Sequence, residues 1–141
     1  YLSLHPEIVR DKDVLELGSG TGFGGIVSYC LGAKSVTLTD LPEGLNRLEE
    51  SCRCNGLDGF EEIQVRSCPW GNMQAVEDLP TRRFDVILCC EVLYKQGEEV
   101  YENLMKTIKA TAKPGGIVLV VYEYRGSMLE DQYMFDLLFE E

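Results

Sequence analysis

The stretch VLELGSGTGFGG, residues 14–25, carries a short apolar run into a glycine-rich turn and leaves it as a helical pattern. Gly18, Gly20 and Gly22 stand two residues apart, a spacing that removes side chains from the turn and permits positive φ, so a ligand can approach the main chain. A dinucleotide fingerprint, G-x-G-x-x-G, rests a pyrophosphate on the helix that follows. Starting at Gly18 that pattern fails at Phe23, and it is satisfied only by Gly20, Gly22 and Gly25, two residues into the turn. Glu16, two residues before the turn, sits badly beside a pyrophosphate and well beside a ligand bearing positive charge.

Outward from this turn, short β-branched and leucine-rich runs alternate with helical patterns, the signature of repeated strand-helix units around a parallel sheet. Strands are expected over 13–17, 35–40, 62–66, 84–90 and 117–123, several nearly all apolar, as burial on both faces demands. A helix is expected over 23–31, with Phe23, Ile26, Val27, Cys30 and Leu31 on one face, and another over 43–55, with Leu45, Leu48 and Cys52 in register. A third over 98–112 sets Val100, Leu104, Ile108 and Ala112 four apart and ends before Pro114-Gly115-Gly116, and a last one spans 128–139. Residues 68–83 read as the longest irregular stretch. Right-handed crossovers then give an α/β fold, a doubly wound and mainly parallel sheet whose ligand crevice opens beyond the carboxyl ends of the strands. The 141 residues read as one domain, and a first residue Tyr1 in place of methionine reads as a piece cut from a longer chain.

Asp40 ends the second expected strand, 22 residues after Gly18, where a carboxylate can accept both ribose hydroxyls of a nucleoside. Its plainer role is a helix cap before Leu41-Pro42-Glu43. Together with Glu16, Asp40 points to S-adenosyl-L-methionine, a nucleoside with sulfonium and ammonium charges, and Leu41 joins the cofactor-binding set beside it. Trp70, the one tryptophan, follows the third strand in SCPWGN, where its indole can stack on adenine or simply fill the core.

Composition narrows the partners. The net charge is −11, from 24 acidic and 13 basic residues, which opposes nucleic acid held by a basic patch. The same field attracts a lysine-rich protein surface, or serves solubility alone. No run approaches the ~20 apolar residues of a membrane span, and the charged start YLSLHPEIVRDKD is no signal peptide. Six cysteines include the adjacent Cys89 and Cys90 and the closely spaced Cys52 and Cys54, neither an easy bridge; with His5 the sole histidine, neither a disulfide framework nor a metal centre is expected. The chain is read as monomeric and cytoplasmic, with the nucleus as a second compartment.

On these residues the chain resembles the seven-strand methyltransferases and, within them, the family-sixteen lysine methyltransferases, which modify chaperones, elongation factors and other proteins. The likeness rests on VLELGSGTG at 14–22, TDLPEGL at 39–45, PWG at 69–71, FDVILCCEVLY at 84–94 and VVYEYR at 120–125. It implies that Gly18, Ser19 and Gly20 meet the methionine end of the cofactor and that Cys90 lies beside the adenosine. It also implies that an Asp-x-x-Tyr motif after the fourth strand borders the target lysine. Here that motif is Glu91-Val92-Leu93-Tyr94, an acid one methylene longer. Glu91 is thus expected to bind and orient the incoming ammonium, and Tyr94 to offer its ring or hydroxyl to the same nitrogen. The plainer roles are a solvated strand-end charge for Glu91 and a core aromatic for Tyr94, while Glu123 and Arg125 are read as an ion pair.

The resemblance further implies an upstream segment before Tyr1 and two more strands after Glu141. The NPPY-type motif of nucleobase and glutamine methyltransferases is replaced by CCEVLY. The expected function is N-methylation of protein lysines; alternatives are an arginine or small-amine methyltransferase and a cofactor-binding module without activity.

Overall fold

Five parallel strands form one sheet in the computed structural model, which describes residues 1–93, 97–123 and 136. They are β1 (Asp13–Leu17), β2 (Ser35–Asp40), β3 (Ile63–Ser67), β4 (Phe84–Cys90) and β5 (Ala112–Val121), in the spatial order β3-β2-β1-β4-β5. The helices are α1 (Phe23–Cys30), α2 (Leu45–Cys54), α3 (Met73–Glu77) and α4 (Glu98–Thr111). Because the strand order reverses at β1, the loops leaving β1 and β4 diverge and open a crevice at the carboxyl ends.

Alternation along β1 distributes its side chains between two cores. Leu15 and Leu17 join Ile87, Cys89, Leu104 and Ile108 on the α4 face. Val14 joins Val36, Leu38, Val86, Ile26 and Leu48 on the face covered by α1 and α2. Both faces being covered, all five residues of β1 are buried, which is why the strand reads as nearly continuous apolar sequence.

The expected doubly wound α/β fold is observed, with several local corrections. β3 lies one residue later than expected, and β5 begins at Ala112, pairing it with Phe84 before a register shift that brings Val86 opposite Ile117. The Pro114-Gly115-Gly116 segment is absorbed into this irregular strand start, not a separate turn. On α1 the buried residues are Gly25, Ile26 and Ser28, while Phe23 is 76% exposed. Of the apolar stripe, Ile26 is buried and Leu31 packs against the same core, while Phe23 and Cys30 look outward: the close approach of Gly25 to β2, which periodicity cannot weigh, turns the helix. On α4 the buried set includes Tyr101 and also Thr107 and Thr111, and the two threonine hydroxyls bond within the helix. α3 was hidden in the stretch 68–83 because one turn of MQAVE shows no period; Asn72 caps it, its side chain accepting the Ala75 N–H at 3.1 Å. The helix expected over 128–139 lies outside the described residues, apart from Asp136, which is helical.

At the amino ends of the strands, Lys113 Nζ lies 2.9 Å from Asp85 Oδ2 and 3.2 Å from Asp13 Oδ2. Asp85 Oδ2 also accepts the Asp13 N–H at 2.9 Å, and Asp13 Oδ1 accepts the Ser35 hydroxyl at 2.9 Å. These bonds hold both carboxyls below the usual range against the opposing effect of burial.

Candidate functional site

A cavity of about 400 Å³ opens at the carboxyl ends of the strands. Gly18 and Gly20 follow β1, Asp40 and Leu41 end β2, Cys68, Pro69 and Trp70 follow β3, Glu91 and Val92 follow β4, and Val100 and Asn103 come from α4. Of the residues singled out in the sequence, Gly18, Gly20, Asp40, Leu41, Trp70 and Glu91 are brought together here.

The three glycines of the turn do different work. All have positive φ, +64° at Gly18, +57° at Gly20 and +75° at Gly22. A Cβ on Gly20 would meet nothing within 4 Å, so its bare main chain faces the open cavity. A Cβ on Gly18 would lie 2.9 Å from Val92 and 3.1 Å from Trp70, so this glycine lets those side chains pack onto the turn. A Cβ on Gly22 would strike Leu48 at 2.7 Å; this glycine is buried, away from the cavity, and starts α1. Only one of the three therefore leaves the ligand-side space that the spacing of all three suggested.

Glu16, Ser19 and Cys90 also lie away from the cavity wall. Alternation along β1 turns Glu16 toward α1, where its Oε2 accepts the Gly25 N–H at 3.1 Å. The carboxyl is 2% exposed, and burial pushes it up to about 7, opposed by the bonds from Gly25, Ser19 and Gly24. Ser19 Oγ donates to the Glu16 carbonyl at 3.1 Å and accepts the Thr39 N–H at 3.0 Å, stitching the turn to β2. Cys90 packs beside Gly24, and burial pushes its thiol up to about 11. These three support the turn from behind.

Asp40 is the acid that faces the cavity. Its Oδ2 accepts the Gly20 N–H at 2.7 Å and its Oδ1 the Leu41 N–H at 2.8 Å. It makes no capping bond to α2, so that plainer role does not hold. Two main-chain donors fix the carboxylate, and each oxygen keeps a lone pair for a further donor. Trp70 lines the cavity and packs against the α4-side core.

Glu91 is exposed and has φ +54°, an unfavourable conformation for a residue with a Cβ. Its N–H continues the ladder to the Val121 carbonyl at 2.9 Å, so the strand pairing holds the backbone there. Tyr94 and Arg125 lie outside the described residues.

Five cavity residues were not singled out in the sequence: Cys68, Pro69, Val92, Val100 and Asn103. Cys68, Pro69 and Val92 flank motif residues and could have been included by adjacency. Val100 was assigned to the helix core, and nothing in the sequence marks Asn103.

The lining suits a cationic nucleoside. Among the described residues it carries two carboxylates and no lysine or arginine, a bare main-chain segment at Gly20 and an aromatic ring at Trp70. A pyrophosphate would meet repulsion from Asp40 and Glu91. Among the described residues no group of His, Cys, Asp and Glu could hold a metal ion, and no helix is long and apolar enough to cross a membrane.

A doubly wound parallel sheet with this crevice is the architecture of the class I methyltransferases. Residues 3–140 match the lysine methyltransferase family, and the chain belongs to it. It is 31% identical over 121 residues to protein N-lysine methyltransferase METTL21A of Xenopus tropicalis, covering 85% of this chain and 53% of that protein. It is 30% identical over 155 residues to protein N-terminal and lysine N-methyltransferase efm7 of Neurospora crassa, covering 97% of this chain and 54% of that protein. The chain thus spans about half the length of these relatives. Among solved structures, a ribosomal protein L11 methylase from Lactobacillus delbrueckii superposes with a TM-score of 0.67 at 23% identity, over 97% of this chain and 63% of that one. An S-adenosylmethionine dependent methyltransferase from Mesorhizobium loti does so with a TM-score of 0.60 at 25% identity, over 82% and 48%.

Proposed function

We propose that this chain is the cofactor-binding core of a protein-lysine N-methyltransferase that receives a basic, lysine-bearing segment of its protein substrate. The observation that carries this reading is the sign of the cavity: Asp40 and Glu91 face it, no basic side chain among the described residues lines it, and the chain belongs to the lysine methyltransferase family. S-adenosyl-L-methionine, when bound, supplies a methyl group on a sulfonium. Asp40 would accept the ribose hydroxyls, Gly20 would leave room along the main chain, and Trp70 with Leu41 would cover the base. Glu16, Ser19, Gly22 and Cys90 contribute by holding the turn in shape.

Glu91 attracts the acceptor ammonium and, once its proton has passed to solvent water, orients the neutral amine, the alignment that a displacement at carbon requires. Tyr94 keeps the role that the Glu91-x-x-Tyr94 motif suggests. The six cysteines are free thiols, as a reducing compartment permits, which supports a cytoplasmic or nuclear setting. Action as a monomer, without nucleic acid or membrane, belongs to the same reading.

The test is transfer of labelled methyl groups to proteins of a cell lysate, with Asp40→Ala and Glu91→Gln as comparisons. Labelled lysine in protein hydrolysates, lost in both variants, is the expected result. Labelling of small amines or arginine alone would overturn the lysine assignment, and cofactor binding with no transfer would point to a module without activity.

A further inference from the structure

Asn103 is the one side-chain amide among the described residues of the cavity wall. It lines the cavity with Cys68, Pro69, Trp70 and Val100, among which the Trp70 indole N–H donates but no side chain can both donate and strongly accept, as the carboxamide does. Its position is well defined. A Cβ on Gly71 would fall 2.6 Å from Asn103 Cγ and 2.6 Å from Oδ1, so the residue after Trp70 must be glycine for the amide to sit there. Gly71 also has φ +81°, and its N–H donates to Thr107 Oγ1 at 2.8 Å. Thr107 Oγ1 in turn donates to the Asn103 carbonyl at 2.9 Å. One helical turn of α4 thus fixes the Trp70-Gly71 turn and brings a carboxamide to the same end of the cavity. Lys106 Nζ approaches Asn103 Oδ1 at 3.4 Å and does not take up the amide's donor.

A carboxamide pairs with adenine through two bonds at once, accepting from the exocyclic amine and donating to a neighbouring ring nitrogen. An aromatic ring covers the face of any base and cannot tell adenine from its 6-oxo counterpart. We propose that Asn103 is the specificity-determining residue for the base of the bound nucleoside, reading the edge of adenine while Trp70 covers its face. This rests on the cofactor reading above. Thr107 is then a positioning residue, linking the Trp70-Gly71 turn to the Asn103 main chain and touching neither the base nor the Asn103 carboxamide.

The test is calorimetric titration with S-adenosylhomocysteine and with its 6-oxo analogue, S-inosylhomocysteine, for the unaltered chain, Asn103→Ala and Thr107→Val. A bidentate pair discriminates by a factor of roughly 5 to 150. The unaltered chain should therefore prefer the adenine ligand by about tenfold or more. Asn103→Ala should bind the adenine ligand about tenfold more weakly and bring the two affinities within about twofold. Thr107→Val should weaken both ligands by the same factor and leave their ratio intact. Fluorescence of Trp70, the single tryptophan, checks that each variant keeps its turn. Equal affinities in the unaltered chain, or a ratio unchanged in Asn103→Ala, would overturn the proposal while the cofactor reading stands. Failure of the unaltered chain to bind either ligand would overturn both.

Discussion

The Asp40 carboxylate accepts the Gly20 N–H at 2.7 Å, so the acid at the end of β2 is tied to the glycine of the β1 turn at which a Cβ would meet only open space. Ligand recognition and loop shape therefore depend on the same side chain. Asp40→Ala removes two charge-assisted bonds, from Gly20 and Leu41, the first part-buried and the second exposed, so each contributes less than the roughly 1.5–3 kcal/mol net of such a bond when buried. The expected outcome is a stability loss of about 1–2 kcal/mol and an affinity for S-adenosylhomocysteine reduced by about 100-fold. Urea unfolding and calorimetry measure the two separately.

Glu91 should set stability against activity. Its φ of +54° costs on the order of 1–2 kcal/mol for a residue with a Cβ. Glu91→Gly is expected to raise stability by about 1 kcal/mol, read as a higher urea midpoint at unchanged m-value, while methyl transfer falls at least tenfold. A variant both less stable and fully active would remove Glu91 from the site.

Stability should depend on pH through Glu16. Its carboxyl lies near 7 in the folded chain against an ordinary value of 4.5, because burial disfavours the charge. The native state binds this proton more tightly than the unfolded state does. The contribution is thus fully present below about pH 4.5 and lost as pH rises through about 7. The difference amounts to about 3 kcal/mol between those limits. Glu16→Gln retains an acceptor for the Gly25 N–H and cannot ionise. Urea midpoints from pH 5 to pH 8 should fall more steeply for the unaltered chain than for this variant, and parallel curves would refute the assignment.

Two glycines should separate packing from ligand approach. A Cβ on Gly25 would fall 2.1 Å from Leu38 Cδ2 and 3.0 Å from Val36 Cγ1, so Gly25→Ala must move α1 off the sheet. It is expected to cost about 2–4 kcal/mol, by analogy with overpacked cores. Gly20→Ala meets open space and carries only the strain of φ +57°, about 1 kcal/mol. Its loss should instead appear in cofactor affinity. Thermal melts with and without S-adenosylhomocysteine would reveal the contrast, with ligand stabilisation retained by Gly25→Ala and abolished by Gly20→Ala.

Much of this architecture was legible because its strongest signals are local. β1, β2 and β4 match their expected bounds because burial on both faces leaves apolar runs such as FDVILCC. The acid Asp40 and the aromatic Trp70 were found by their positions after strands. Periodicity misjudged α1: Phe23, Val27 and Cys30 share a helical face, yet Gly25 is what lets the helix approach Val36 and Leu38, and a glycine adds no weight to an apolar stripe. Glu16 was assigned to the ligand because its charge was visible in the sequence, whereas the Gly25 N–H that engages it became visible only in three dimensions. Asn103 was missed because its place depends on the distant turn at Gly71.

The Lys113 ammonium between Asp13 and Asp85 sits at the amino ends of β1, β4 and β5, as far along the strands as possible from the crevice. This end works as a mooring. Substitutions among the rim loops leave its tethers untouched, so the rim can drift to new clients while the scaffold stays anchored. Conversely, Lys113→Met would leave Lys34, which lies 3.3 Å from Asp13 Oδ1, to pair with Asp13 while Asp85 loses its ammonium, and would weaken the whole domain without altering which molecule it greets.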